Sequence, residues 1–169
     1  MTALSIALVD AEATAALGAR IAPLLQPGEA VLLFGPLGMG KSTLARGLIR
    51  ALTTPDEDVP SPTFTLVQFY DADPPIAHFD LYRLSRPDEA FEIGLDEALD
   101  EGIALIEWPE RLGDQPERWL GPDRLTITLC ETHPTPQPGT ETSAEIRPGR
   151  LATVSGAGTW QAKLGALND

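Results

Sequence analysis

The stretch from Ala30 to Arg50 constrains this chain more than any other. Ala30-Val31-Leu32-Leu33-Phe34 is a continuous apolar run, the pattern of a strand buried on both faces in a parallel sheet covered by helices. It runs directly into Gly35-Pro36-Leu37-Gly38-Met39-Gly40-Lys41-Ser42, and Lys41 to Arg50 then reads as a helix. The turn matches G-x-x-x-x-G-K-[ST], in the strand-to-helix context that gives the pattern its meaning. Glycines suit such a turn because side chains would keep the main-chain N–H groups from wrapping an anion, and some positions need positive φ. The loop Gly35, Pro36, Leu37, Gly38, Met39, Gly40 is thus a candidate phosphate cradle, with the positive end of the following helix beneath it. Lys41 would reach the β- and γ-phosphates, the Ser42 hydroxyl would hold Mg²⁺, and Thr43 could touch the α-phosphate. The chain has only two lysines, Lys41 and Lys163, so a functional lysine has few places to be.

The rest of the sequence supplies a frame for this unit. Leu4, Ile6 and Leu8 mark a short strand, followed by a helix capped at Asp10 that runs to about Leu25 and ends at Gln26-Pro27-Gly28. Thr63–Tyr70 and Ile76–Leu81 read as a hairpin around Asp71–Pro75. Acids interleave with Phe91, Ile93, Leu95 and Leu99 to give one or two amphipathic helices between Pro87 and Gly102. Ile103-Ala104-Leu105-Ile106 is another buried strand, and Arg124–Cys130 and Leu151–Val154 look like antiparallel edge strands. Between these last two, the segment from about 131 to 150, rich in Pro, Thr and Gly, reads as a mobile loop. The expected fold is α/β: a P-loop NTPase with a mixed, mainly parallel sheet, flanking helices and antiparallel C-terminal edge strands, in one domain over residues 1–169.

Charge and cysteine usage narrow the function. Twelve Lys and Arg against twenty-five Asp and Glu give a net charge of −13, which disfavours direct binding to DNA or RNA. The single Cys130 cannot form an internal disulfide, and no Cys/His spacing resembles a zinc site. With no basic leader and no apolar run near the ~18 residues of a membrane span, a soluble cytoplasmic protein is expected.

A P-loop enzyme also needs a carboxylate from a neighbouring strand close to its metal. Glu107 follows Ile103–Ile106 at a strand's C-terminal end, and Asp80 ends Ile76–Phe79 in the same way, although polar His78 interrupts that run. Glu107 is the first candidate for metal contact together with Ser42, and Asp80 the second, with the other acid orienting or activating water. Neither lysine follows an Asn in an Asn-Lys-x-Asp guanine motif, so ATP is the expected nucleotide. Arg111 and Arg118 could serve as lid arginines of a small-molecule kinase. A nucleotide-gated binding module that never hydrolyses is the other alternative.

Taken in order, Gly35–Thr43, Ser61-Pro62-Thr63-Phe64-Thr65-Leu66-Val67, His78-Phe79-Asp80-Leu81-Tyr82-Arg83-Leu84 and Ile106-Glu107-Trp108-Pro109-Glu110 resemble the bacterial TsaE (YjeE) family. The resemblance spans about Asp10 to Glu110 and implies a small, Mg²⁺-dependent ATPase. In that family the enzyme works with TsaD and TsaB to make N6-threonylcarbamoyladenosine at position 37 of tRNAs reading ANN codons, touching tRNA only through the complex. It further implies that Thr63 lies in a switch-like segment and senses the nucleotide, that Asp80 and Glu107 are catalytic, and that Trp108 lies close to the nucleotide. An arginine of the C-terminal part, Arg147 or Arg150, would approach the nucleotide. Met39 and Ser42 stand where Ala and Thr are more usual.

Overall fold

A computed structural model describes residues 2–132 and 149–168. Seven strands form one sheet: β1 (Ala3–Leu8), β2 (Ala30–Phe34), β3 (Val67–Tyr70), β4 (Ile76–Asp80), β5 (Ile103–Glu107), β6 (Arg124–Glu131) and β7 (Arg150–Ala157). Their order is β1-β7-β6-β2-β5-β4-β3. The central four, β6-β2-β5-β4, are parallel, whereas β3 adds antiparallel at one edge and β7 then β1 at the other. The α/β P-loop architecture and the antiparallel C-terminal strands are as expected. β6 is not the edge strand expected over Arg124–Cys130: it lies inside the sheet, parallel to β2 and antiparallel to β7, and β1 forms that edge beyond β7.

Among the described residues, five helices accompany the sheet: α1 (Ala11–Ile21), α2 (Lys41–Leu52), α3 (Glu89–Glu92), α4 (Leu95–Glu101) and α5 (Trp160–Lys163). The Asp10 side chain accepts from Ala13 N at 2.8 Å and starts α1 as a cap. Helix α1 ends four residues before Leu25, in a tighter turn over Ala22–Leu24 where Pro23 removes a helical N–H.

Alternation along the buried strands assigns each residue to one of two cores. Val31 and Leu33 of β2 and Ile103 and Leu105 of β5 pack with Leu17, Ile21, Leu44, Leu48 and Ile49 of α1 and α2. Ala30, Leu32, Phe79, Ala104 and Ile106 face the other way, against Ala90, Leu95 and Ala98 of α3 and α4. The first layer is close-packed at backbone level: a Cβ on Gly47 of α2 would lie 2.1 Å from the Ala15 carbonyl oxygen of α1. Overpacking of this kind costs about 1–3 kcal/mol, so the two helices can approach this closely only with glycine there. Strand parity then decides where the polar strand-end residues go. His78 and Asp80 share the parity of Ile76, and Glu107 that of Leu105, so all three belong to the face that carries α2.

The hairpin is shorter than its sequence suggests. Thr63–Leu66 is not strand: Leu66 N donates to Pro62 O at 2.8 Å and Leu66 takes φ 68°. The β-branched Thr63 and Thr65 favour a strand by type, but this turn overrides them. The anticipated 131–150 loop falls mostly on 133–148, outside the described residues. Among the described residues no helix is long and apolar enough to cross a membrane.

Candidate functional site

The turn after β2 delivers its chain to the first turn of α2 through Gly40, which has φ 101°. A Cβ there would be in the left-handed region and would lie 3.1 Å from Arg150 Nη1 and 3.3 Å from Thr14 Cγ2, so both backbone and space call for glycine. No side chain caps α2, and its first N–H groups therefore face the turn as free donors. This is an anion-binding geometry.

Lys41, 5 % exposed, donates from Nζ to the Gly35 carbonyl at 2.5 Å and lies 3.5 Å over the centre of the Trp108 ring. Burial pushes its ammonium below the ordinary 10.5, while Glu107, Glu110 and Asp80 pull it back up. The next residue, Ser42, donates from Oγ to Glu107 Oε1 at 3.1 Å. The hydroxyl at the start of α2 and the carboxylate at the end of β5 thus converge, as the β2–β5 pairing of Leu33 with Glu107 allows. A second carboxylate stands beside the first, since Asp80 is paired in register with Glu107. Asp80 Oδ2 accepts from Thr63 Oγ1 at 3.2 Å and its Oδ1 from Tyr82 N at 3.0 Å. Thr63 Oγ1 also lies 2.9 Å from Ser61 Oγ.

These groups surround an open groove of about 250 Å³, lined by Leu37, Gly38, Gly40, Lys41, Ser42, Thr43, Ser61, Thr63, Asp80, Glu107, Trp108 and Arg150. Gly35, Pro36 and Met39 are not in the lining: Gly35 contributes the carbonyl under Lys41, the Pro36 carbonyl accepts from Met39 N, and the Met39 side chain packs on the core. Trp108 follows β5 with φ 57° and ψ 48°, a strained setting for a bulky residue. That bend lays its ring across the groove and against Tyr82, 4.9 Å away between centroids. A second hollow of about 190 Å³, lined by Leu37, Thr63, Asp80, Tyr82 and Trp108, adjoins it.

Of the two candidate C-terminal arginines, Arg150 lines the groove, whereas Arg147 lies outside the described residues. Neither arginine offered as a kinase lid residue lines the groove. Arg111 lies 5.4 Å from the Tyr82 ring centre, and Arg118 lines a separate depression with Leu112 and Trp119. Sequence reasoning placed Ser61 only within the switch-like segment and left His78 without a role. His78 is signalled in the sequence by its polarity inside a buried strand, whereas the hydroxyl pair of Ser61 with Thr63 shows only in the structure.

The donor set suits a magnesium-bound triphosphate. No group of three or more His, Cys, Asp or Glu positioned for a metal occurs among the described residues. Magnesium bound to nucleotide needs none, since one or two protein oxygens with phosphates and waters complete its shell. The Ser42 hydroxyl and the Glu107 carboxylate provide such oxygens at one point.

Residues 8–137 match the model of the family described as threonylcarbamoyl adenosine biosynthesis protein TsaE. Among curated relatives, a tRNA threonylcarbamoyladenosine biosynthesis protein TsaE of Rickettsia conorii is 43% identical over 100 residues, which are 59% of this chain and 57% of that protein. Proteins of the same name from Nostoc sp. and Streptomyces coelicolor are 40% and 38% identical over 68% and 67% of this chain and 74% and 76% of theirs. The chain thus spans less than two thirds of the Rickettsia conorii relative and about three quarters of the other two. The crystal structure of Bacillus subtilis YdiB superposes with a TM-score of 0.72 at 26% identity, over 97% of this chain and 92% of that one. The family match over most of the sequence, carried on a P-loop fold whose strand-end acids meet at the glycine-rich turn, shows that this chain belongs to the TsaE family.

Proposed function

We propose that the protein is an ATPase that supports N6-threonylcarbamoyladenosine formation on tRNA through nucleotide-dependent association with TsaD and TsaB. The observation that carries the reading is the meeting of Ser42 Oγ and Glu107 Oε1 at 3.1 Å, beside the buried ammonium of Lys41 and the uncapped start of α2. In this reading the main chain of Gly35–Gly40 and Lys41 bind the phosphates, Thr43 touches the α-phosphate, and Ser42 and Glu107 hold Mg²⁺. The ion, when bound, neutralises charge on the phosphate oxygens. Asp80 orients or activates the attacking water, and Thr63, bonded to Asp80, couples the Ser61–Thr65 segment to the nucleotide. Trp108 lies against the nucleotide, and Arg150, which lines the groove, approaches it.

Turnover by the isolated protein is slow in this reading, because no arginine from the first half of the chain lines the groove. The net charge of −13 favours a role within a protein assembly whose other subunits handle the polyanion. Modified-nucleoside analysis of tRNA from a reconstituted system with TsaD and TsaB tests the proposal. Repeated rounds of modification should require this protein and ATP, and rounds that continue without it overturn the reading.

A further inference from the structure

The reading above gives His78 no task, yet it is 1 % exposed in the middle of β4. Its neighbours in the strand are Ala77 and Phe79, both buried, and its register partner on β5 is Leu105. The imidazole lies on the α2 face, one pleat before Asp80, and reaches across to Glu107, with Nε2 2.7 Å from Oε2. Its other nitrogen, Nδ1, is buried without a hydrogen-bond partner among the described residues. A carboxylate only accepts, so Nε2 donates to Glu107 and Nδ1 is left unpaired. An unsatisfied buried nitrogen is a penalty that an apolar side chain would not carry. The single bond that offsets it goes to the carboxylate facing Ser42.

We propose that His78 is a positioning residue for Glu107. Its Nε2–H fixes Oε2, so that Oε1 stays turned toward Ser42 at the point where the metal is held. The inference rests on the assignment of Glu107 as a metal-binding group. The terminal torsion of a glutamate is broad, and bonds to both oxygens, from Ser42 on one side and His78 on the other, stop the carboxylate rotating out of place.

The test uses the full chain and compares His78→Leu, His78→Gln and Glu107→Gln. Affinity for a non-cleavable ATP analogue is measured by calorimetry with Mg²⁺ and with EDTA, alongside kcat and KM for ATP. His78→Leu should reduce the Mg²⁺-dependent gain in affinity and kcat by about tenfold each, as loss of groups that orient metal ligands does, with affinity in EDTA unchanged. His78→Gln, which keeps an N–H donor near the position of Nε2, should recover most of both. Combined with Glu107→Gln, His78→Leu should cause no further loss. If Glu107→Gln keeps the full Mg²⁺ gain, the metal assignment beneath the proposal fails. If Glu107→Gln loses that gain while His78→Leu keeps it, or if the Gln variant is no better than the Leu variant, the role of His78 is overturned.

A spectroscopic readout needs neither metal nor turnover and does not depend on the Leu variant folding. The chain has two histidines, His78 and His133, so two-bond ¹H–¹⁵N spectra of the unmutated protein can assign each ring. His78 should show a fixed Nε2–H tautomer whose signal moves in Glu107→Ala. An Nδ1–H tautomer, or no response to that substitution, overturns the proposal.

Discussion

Two glutamates lie at opposite ends of the central strands, and both are 3 % exposed, yet they are satisfied very differently. Glu29, just before β2, accepts from four donors. Gln26 N and Trp160 Nε1 reach Oε2, each at 3.0 Å, while Thr159 Oγ1 and Lys163 Nζ reach Oε1. That fills the roughly four lone-pair sites of a carboxylate. Glu107, at the end of β5, accepts from Ser42 and His78. The saturated carboxylate is a structural clamp that fastens α5 to the start of β2. The unsaturated one keeps open acceptor sites, which the proposed metal role of Glu107 requires. Burial alone therefore does not distinguish the two carboxylates; the number of donors does.

Substitutions can break or sharpen this contrast. The largest effect is expected from Glu29→Ala, which leaves the buried Trp160 N–H without its acceptor and the half-buried Lys163 ammonium with only the Leu24 carbonyl. Denaturant unfolding should show a loss of about 3–5 kcal/mol, with nucleotide affinity by calorimetry unchanged under conditions where the variant is folded. A parallel loss of affinity would mean the two ends are not independent. Glu107→Gln keeps an acceptor for His78, so stability should change by no more than about 1 kcal/mol. Turnover in a phosphate-release assay should instead fall about a hundredfold, equivalent to about 2.7 kcal/mol at the barrier. Unchanged turnover would place Glu107 with Glu29 among the clamps.

The smallest effect concerns Lys41. Its folded pKa is depressed by burial, so its charged form burdens the fold at neutral pH, and that burden lifts as pH rises from the folded value toward 10.5. Lys41→Met should therefore raise stability at neutral pH by about 1 kcal/mol, with the gap to the unmutated protein closing across that alkaline interval. A destabilised variant at pH 7 would show that the bonds to Gly35 and the Trp108 ring outweigh desolvation.

What the sequence made legible was local. The Gly35–Ser42 turn, the apolar runs of β2 and β5 and the acid that ends each of β4 and β5 follow from residue type and spacing. The order of strands did not, because β1 meets β7 across most of the chain's length and no short-range pattern encodes that pairing. The hairpin boundary was hidden by β-branched residues that form a turn around Leu66 instead of a strand. Within the site, His78 was visible as an anomaly, but its partner Glu107 lies on another strand and only the parallel register shows that they touch. Arg150 was one of two candidates, and the pairing of β7 in the sheet brings it to the groove.

The ammonium held over the Trp108 ring has a practical consequence. Indole emission responds to a charge stacked on its face, and a triphosphate that draws Lys41 away would uncover that face. Trp160 bonds to Glu29 and Trp119 packs against Phe91, both away from the groove. Under the proposed function, loading should therefore be readable from Trp108 as a change in intrinsic fluorescence without any attached dye.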